Sequence, residues 1–248
     1  MTTHTVTFAG SGDAFGSGGR FNTCIIVQGP TKTVAIDFGA SSLIALNQAG
    51  IPHREIDAVI LTHIHGDHCG GIPFMLVDAM LGARREKPLT IAGPRETKAR
   101  LDDYMRALFP GGEAMEPKFD LEILELEVMT ETEIIPGVSC TPFPAAHTGA
   151  TNPTSVRVEV EGKTVSYTGD SAWTKHMPQV AADADLFIAE CYFHSKPVRF
   201  HMNYPDIVEH RKEITAKHMV LTHMGPEMLA QADNVPEETA FDGMVVDL

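Results

Sequence analysis

Residues 61–71, LTHIHGDHCGG, put His63, His65, Asp67 and His68 inside one short stretch, directly after the apolar run IDAVI. No other feature restricts the chain as much. Three imidazoles and a carboxylate make poor core, because a buried polar group without a partner costs free energy. The apolar run reads as a buried strand, so the four groups sit on the loop at its end. A fold that gathers them there needs a cation between them.

Three more apolar segments end in a group of the same kind. FPAAHTG carries His147, VSYTGDS carries Asp170 and VLTHMG carries His223. The set becomes five histidines and two aspartates. One catalytic zinc takes three protein ligands and keeps a position open. Seven ligands suit two ions that share a carboxylate and a water. Ion pairs about 3.5–4 Å apart form a recognised hydrolytic unit.

The remaining pattern predicts what carries these ends. HTVTFAG, TCIIVQG and TVAIDFG read as strands, ASSLIALNQAG as a helix and IDAVILTH as a strand. A helix over 70–86, the strand PLTIAG and the helix PRETKARLDDYMRALF complete the first half. The second half repeats the order: KFDLEILELEV, GVSCTPFPAAH, PTSVRVEVEG and KTVSYTGD are strands, followed by alternating helices and strands up to AFDGMVVDL. Strands first and helices later, twice over, predict an α+β fold. Two similar halves pack sheet on sheet with helices outside, a four-layer αββα sandwich. With 248 residues, 43% of them hydrophobic, residues 1–248 are expected to form a single domain.

Other features narrow the function. The glycine-rich GSGDAFGSGG lacks the G-K-[ST] of a phosphate loop and the G-x-G-x-x-G spacing of a dinucleotide fold, so it reads as a loop at the rim of the site. The basic spot ARREK, 83–87, reads as a solvated helix end. Cys24, Cys69, Cys140 and Cys191 form no C-x-x-C pair and read as reduced, packed thiols. His4, His53, His176, His194, His210 and His218 are expected in solvent. No run of eighteen apolar residues exists, and the first residues, MTTHTVTFAG, lack the charged-then-apolar order of a signal peptide. The expectation is a cytoplasmic protein with no membrane partner. A formal charge of −14 opposes binding to a phosphate backbone, which depends on Lys and Arg.

The H-x-H-x-D-H motif at 63–68, with His147, Asp170 and His223 on later strand ends, resembles the metallo-β-lactamase fold superfamily over almost the whole chain. The resemblance implies that His63, His65 and His147 hold one ion, that Asp67, His68 and His223 hold a second, and that Asp170 bridges. Within the superfamily, LTHIHGDHCGGIPFML and LFIAECYF are similar to the branch of ribonuclease Z and small phosphodiesterases. In that branch Glu190 and His201 match the glutamate and histidine. Met202 and Asn203 stand where the branch has Ser-Thr, and LTHMGPEM also departs from its pattern. That branch grips tRNA with a long arm between the positions of His147 and Asp170. Here 170 − 147 leaves 23 residues, and two strands use most of them. β-Lactamases proper carry Cys or His where Asp170 stands.

The implied enzyme is a dimetal hydrolase with a metal-bridging hydroxide as nucleophile and a small phosphodiester as substrate. A carboxylic ester, lactone or sulfate ester hydrolase is the alternative, and a non-catalytic metal-binding protein the third reading. Asp67 would orient the water, and His201, oriented by Glu190, would protonate the leaving oxygen. The cofactors expected are two divalent ions, zinc foremost, with manganese or iron as substitutes. The expected partners are a small-molecule substrate and a second copy in a homodimer, without nucleic acid. Asp13 and Asn22 are expected near the site, and residues 104–119 read as a connecting loop between helix and strand, with an apolar flap over the site as the second reading.

Overall fold

The computed structural model describes residues 4–196 and 198–248, without the side chain of Glu113. Six strands come first: β1 Thr5–Gly10, β2 Cys24–Gln28, β3 Thr33–Ile36, β4 Ala58–Ile60, β5 Leu89–Gly93 and β6 Leu121–Glu125. Seven follow: β7 Thr132–Ile135, β8 Val138–Pro144, β9 Thr154–Val160, β10 Lys163–Tyr167, β11 Leu186–Glu190, β12 Met219–Thr222 and β13 Glu238–Thr239. The last strand, β14 Met244–Asp247, returns to pair with β1. The two sheets run β14-β1-β2-β3-β4-β5-β6 and β13-β12-β11-β10-β9-β8-β7.

Each half begins antiparallel and becomes parallel. β1–β2 and β2–β3 are antiparallel, and β3–β4, β4–β5 and β5–β6 parallel. The second sheet repeats this: β7 to β10 pair antiparallel, then β10–β11, β11–β12 and β12–β13 parallel. Strands buried on both faces read as unbroken apolar runs. β2 is one of these: Ile25 and Val27 face the core between the sheets, Cys24 and Ile26 the helices outside. β11 repeats it, with Leu186 and Ile188 inward and Phe187 and Ala189 outward.

Helices α1 Ser42–Ala49, α2 Gly66–Cys69, α3 Ile72–Leu81 and α4 Thr97–Leu108 belong to the first half, and α1, α3 and α4 cover its sheet. Helices α5 Met177–Ala181, α6 Tyr204–His210 and α7 Pro226–Leu229 cover the second. The predicted αββα layering is therefore the observed one. Among the described residues no helix is long and apolar enough to cross a membrane. All four cysteines are buried and unpaired.

Three expectations fail here, for one reason. Helix α3 stops at Leu81, not 86, and Arg84 takes a left-handed φ of 49°. The chain then folds Arg85 under the turn at 53–56. Arg85 is buried, and its guanidinium donates to the carbonyls of His53, Arg54, Ile56, Lys87 and Pro88. It is no solvated helix end. His53 on the same turn is also buried, with Nε2 2.7 Å from Asp78 Oδ2. Both polar groups are inside because every hydrogen-bonding atom they bring, other than His53 Nδ1, finds a partner. His4, His176, His194, His210 and His218 keep partial exposure.

Candidate metal centre

The ligands gather at one edge of the sandwich, where strands of both sheets end. β4 hands the chain to the histidine loop, whose fit depends on glycine. Phe38 N–H donates to His68 O and Gly71 N–H to Phe38 O. A Cβ on Gly39 would stand 2.1 Å from Asp67 O, so no side chain fits there. Three other site residues turn sharply at strand ends in the left-handed region: Asp37 at φ 59°, Gly169 at 57° and His223 at 55°. Such φ values cost non-glycine residues about 1–3 kcal/mol each and recur at functional sites.

All seven predicted ligands meet, in two groups. The donor atoms of His63, His65 and His147 lie within 4.8 Å of one another, as do those of Asp67, His68, Asp170 and His223. His65 Nδ1 is 3.1 Å from His63 Nε2 and 3.2 Å from His147 Nε2. In the second group His68 Nε2 and His223 Nε2 stand 3.3 and 3.4 Å from Asp67 Oδ2. Asp170 joins the groups: Oδ1 is 3.1 Å from His68 Nε2 and 3.3 Å from His223 Nε2, while Oδ2 is 3.9 Å from His147 Nε2.

The hydrogen bonds behind the ligands fix their tautomers. Thr62 Oγ1 donates to Asp37 Oδ2 at 2.8 Å, so it accepts from His63 Nδ1 at 3.1 Å. His68 Nδ1 donates to Asp37 Oδ2 at 2.6 Å, and His147 Nδ1 to Phe200 O at 3.0 Å. Each of these rings is left with a lone pair on Nε2, aimed at its group, the usual way a second hydrogen bond orients a metal-binding histidine. His68 Nε2 and Asp170 Oδ1 are buried, face each other and have no hydrogen-bond partner. Two buried acceptors so close repel unless a cation lies by them. The residues present therefore fit divalent ions.

The charges agree. Burial drives His63 well below the ordinary histidine value and lowers His65 and His147, so these three rings are neutral. Burial would also discharge His68, but the carboxylates of Asp170, Asp67 and Asp37 outweigh it and hold it well above. Burial opposes ionisation of Asp170 too, yet the charges of His223 and His68 keep it well below the carboxylate range. The carboxylates thus call for a positive charge beside His68 Nε2, which a divalent ion would supply while leaving that lone pair to bind it.

Glu190 and His201 also lie at this edge. Glu190 is fully buried at the end of β11 and accepts from Ser171 N–H at 2.5 Å and Met202 N–H at 3.2 Å. Its Oε2 is 3.0 Å from His201 Nδ1 and 3.6 Å from His223 Nδ1. Burial and the charge of Asp170 push its pKa well up. His201 borders the cavity over the ligands, about 180 Å³, together with Ala14, Phe15, Tyr192 and the ligands His65, Asp67, His147, Asp170 and His223.

Residues 104–119 do not line this cavity. Phe109 packs edge-on against Phe74, 5.0 Å away, among the outer helices of the first half, and Phe119 is buried beside them. Phe15 of the glycine-rich loop holds the rim instead. Asp13 and Asn22 are near, as expected, and support that loop. Sequence reading missed Asp37, Phe15 and Tyr192. The signal for Asp37 was a carboxylate closing TVAI, as Glu190 closes LFIA.

A model of the family described as Anti-Pycsar protein Apyc1 matches residues 4–246. An Apyc1 of that name from Paenibacillus harenae is 30% identical over 146 residues, covering 57% of this chain and 58% of its own. A ribonuclease Z from Agathobacter rectalis is 25% identical over 269 residues, covering 88% and 86%. The metallo-β-lactamase fold protein YhfI from Bacillus subtilis superposes over the whole of both chains with a TM-score of 0.80 at 21% identity, which shows the fold. The chain belongs to the Anti-Pycsar protein Apyc1 family, and is a metal-dependent hydrolase in the ribonuclease Z-like branch of the metallo-β-lactamase fold.

Proposed function

We propose that the protein hydrolyses small phosphodiesters, nucleoside cyclic phosphates among them, with two divalent ions. The observation that carries this reading is Asp170, whose two oxygens face the two ligand groups separately. His63, His65 and His147 would hold one ion, Asp67, His68 and His223 the other, with Asp170 shared. Zinc suits this nitrogen-rich set, and manganese or iron are the alternatives. When bound, the ions supply a water acidified toward neutral pH and a positive field on the phosphoryl oxygens.

The chain's own residues do the rest. Asp67 accepts a hydrogen bond from the attacking water and turns its lone pair toward phosphorus. His201 has Nδ1 on Glu190, which leaves Nε2 to give a proton to the leaving oxygen. Glu190 holds the ring in that tautomer. Three facts support a small substrate. The cavity is about 180 Å³. The stretch between His147 and Asp170 is taken up by β9, β10 and short turns, with no arm. The charge of −14 opposes a polyanion.

The test is turnover by zinc- or manganese-loaded protein of bis(p-nitrophenyl) phosphate, adenosine 3′,5′-cyclic phosphate, p-nitrophenyl acetate, a lactone and precursor tRNA. The diester and cyclic phosphate are expected to be cleaved and the tRNA left intact. Cleavage of esters or lactones without any diester, or efficient removal of a tRNA 3′ trailer, would refute the reading.

A further inference from the structure

The metal ligands and His201 form six of the nine residues around the cavity, which leaves Ala14, Phe15 and Tyr192 to meet the rest of a substrate. Phe15 is 83% exposed. A single exposed phenylalanine needs no explanation. This one is held in place. Asp13, fully buried, accepts from the N–H of Phe15 at 3.2 Å, the N–H of Ser17 at 2.9 Å and the hydroxyl of Ser17 at 2.7 Å. Its carbonyl accepts from Asn22 Nδ2 at 2.9 Å. Gly16, with φ 66°, lets the loop turn back directly after Phe15.

Tyr192 stands near the same carboxylate: burial first, and then the charge of Asp13, raise its phenol pKa. Tyr192 packs on Phe193 and His201, with ring centroids 4.8 and 5.0 Å away. Asp13 thus fixes the backbone at Phe15 and ring contacts fix Tyr192, and both side chains border the cavity. Phe15 therefore turns an apolar ring to solvent from a backbone that Asp13 holds fixed.

Pockets that enclose a drug-sized ligand run to roughly 300–1,000 Å³. At about 180 Å³ this cavity falls below that range, and Phe15 is among the residues around it. We infer that Phe15 is a specificity-determining residue that stacks on the nucleobase of a nucleoside cyclic phosphate, with Tyr192 beside the sugar. This rests on the phosphodiesterase reading above. Every base has a face to stack, so Phe15 selects for the presence of a base more than for its identity.

Steady-state kinetics of the metal-loaded enzyme tests it with adenosine 3′,5′-cyclic phosphate against the base-free methyl riboside 3′,5′-cyclic phosphate. Phe15→Ala is expected to raise KM for the nucleotide about 5- to 150-fold, the equivalent of one base stack, with kcat unchanged. KM for the riboside should not move. Phe15→Trp should restore the nucleotide KM, whereas Phe15→Leu should not. Calorimetry gives a second readout: Phe15→Ala should weaken adenosine 5′-monophosphate binding by a similar factor and leave ribose 5-phosphate unaffected. Equal effects on both substrates, or none on either, would overturn the inference while the phosphodiesterase reading stands. Wild-type enzyme that cleaves neither cyclic phosphate would overturn both.

Discussion

The two sheets support the centre with one device used in two ways. In the first, Asp37 closes β3 and reaches the loop after its parallel neighbour β4; in the second, Glu190 closes β11 and faces His223 after its parallel neighbour β12. Both carboxylates are fully buried. Asp37 spends both oxygens beneath the ligands, on Thr62 N–H, Thr62 Oγ1 and His68 Nδ1. Glu190 divides its attention between a ligand, His223, and His201, which lines the cavity. Under the proposed function Asp37 would therefore steady ligands only, and Glu190 would steady both a ligand and a proton donor.

Substitutions can break this division. The largest effect is expected from Asp170→Ala, which removes the carboxylate whose two oxygens face the two ligand groups. Elemental analysis should fall from two ions per chain to fewer than one, with turnover lost; two retained ions would remove Asp170 from its bridging role. Next is His201→Ala, with an expected loss of about 10²–10⁴-fold in turnover on a diester with a poor leaving group and unchanged metal content. Full turnover on that substrate would end its assignment as the acid.

The two supporting carboxylates should then separate. Asp37→Asn is expected to weaken metal binding about 10–100-fold, measured by competition with a chelator, while kcat at saturating metal changes little. Glu190→Gln should lower kcat more than metal affinity. Equal profiles for the two variants would mean that the halves are not specialised. The smallest effect on chemistry belongs to Arg85→Met, far from the ligands. It strands buried carbonyls around the 53–56 turn, at a cost on the order of 3–5 kcal/mol. A fall in Tm of roughly 6–20 °C with normal kcat at low temperature is expected.

The residues that sequence reading located share one property. His63, His65, Asp67 and His68 are adjacent in the chain, and His147, Asp170 and His223 each interrupt an apolar strand pattern that fixes where the strand stops. Glu190 and His201 were located through the resemblance to the ribonuclease Z-like branch. Asp37 was not, because one aspartate after an apolar run is also an ordinary turn residue, and only its contact with His68, 31 positions away, gives it a role. His53 and Arg85 read as surface because their partners are carbonyls and a carboxylate brought in by turns that local pattern does not describe. Residues 104–119 stayed open between a connecting loop and a flap, because where a loop packs cannot be told from its composition.

The sequence by itself determined the two αββα halves, since period-2 and period-3.6 patterns are local and burial follows from them. It also determined the seven donor groups, through the spacing and order of His and Asp at strand ends. Only the tertiary structure decided which donors face each other across the two sheets, which nitrogen of each ring is left with its lone pair, and which aromatic side chain stands at the mouth. Those outcomes depend on contacts between residues far apart in the chain, and the energy of such a contact is set by the packing of everything between them rather than by either residue's neighbours in sequence.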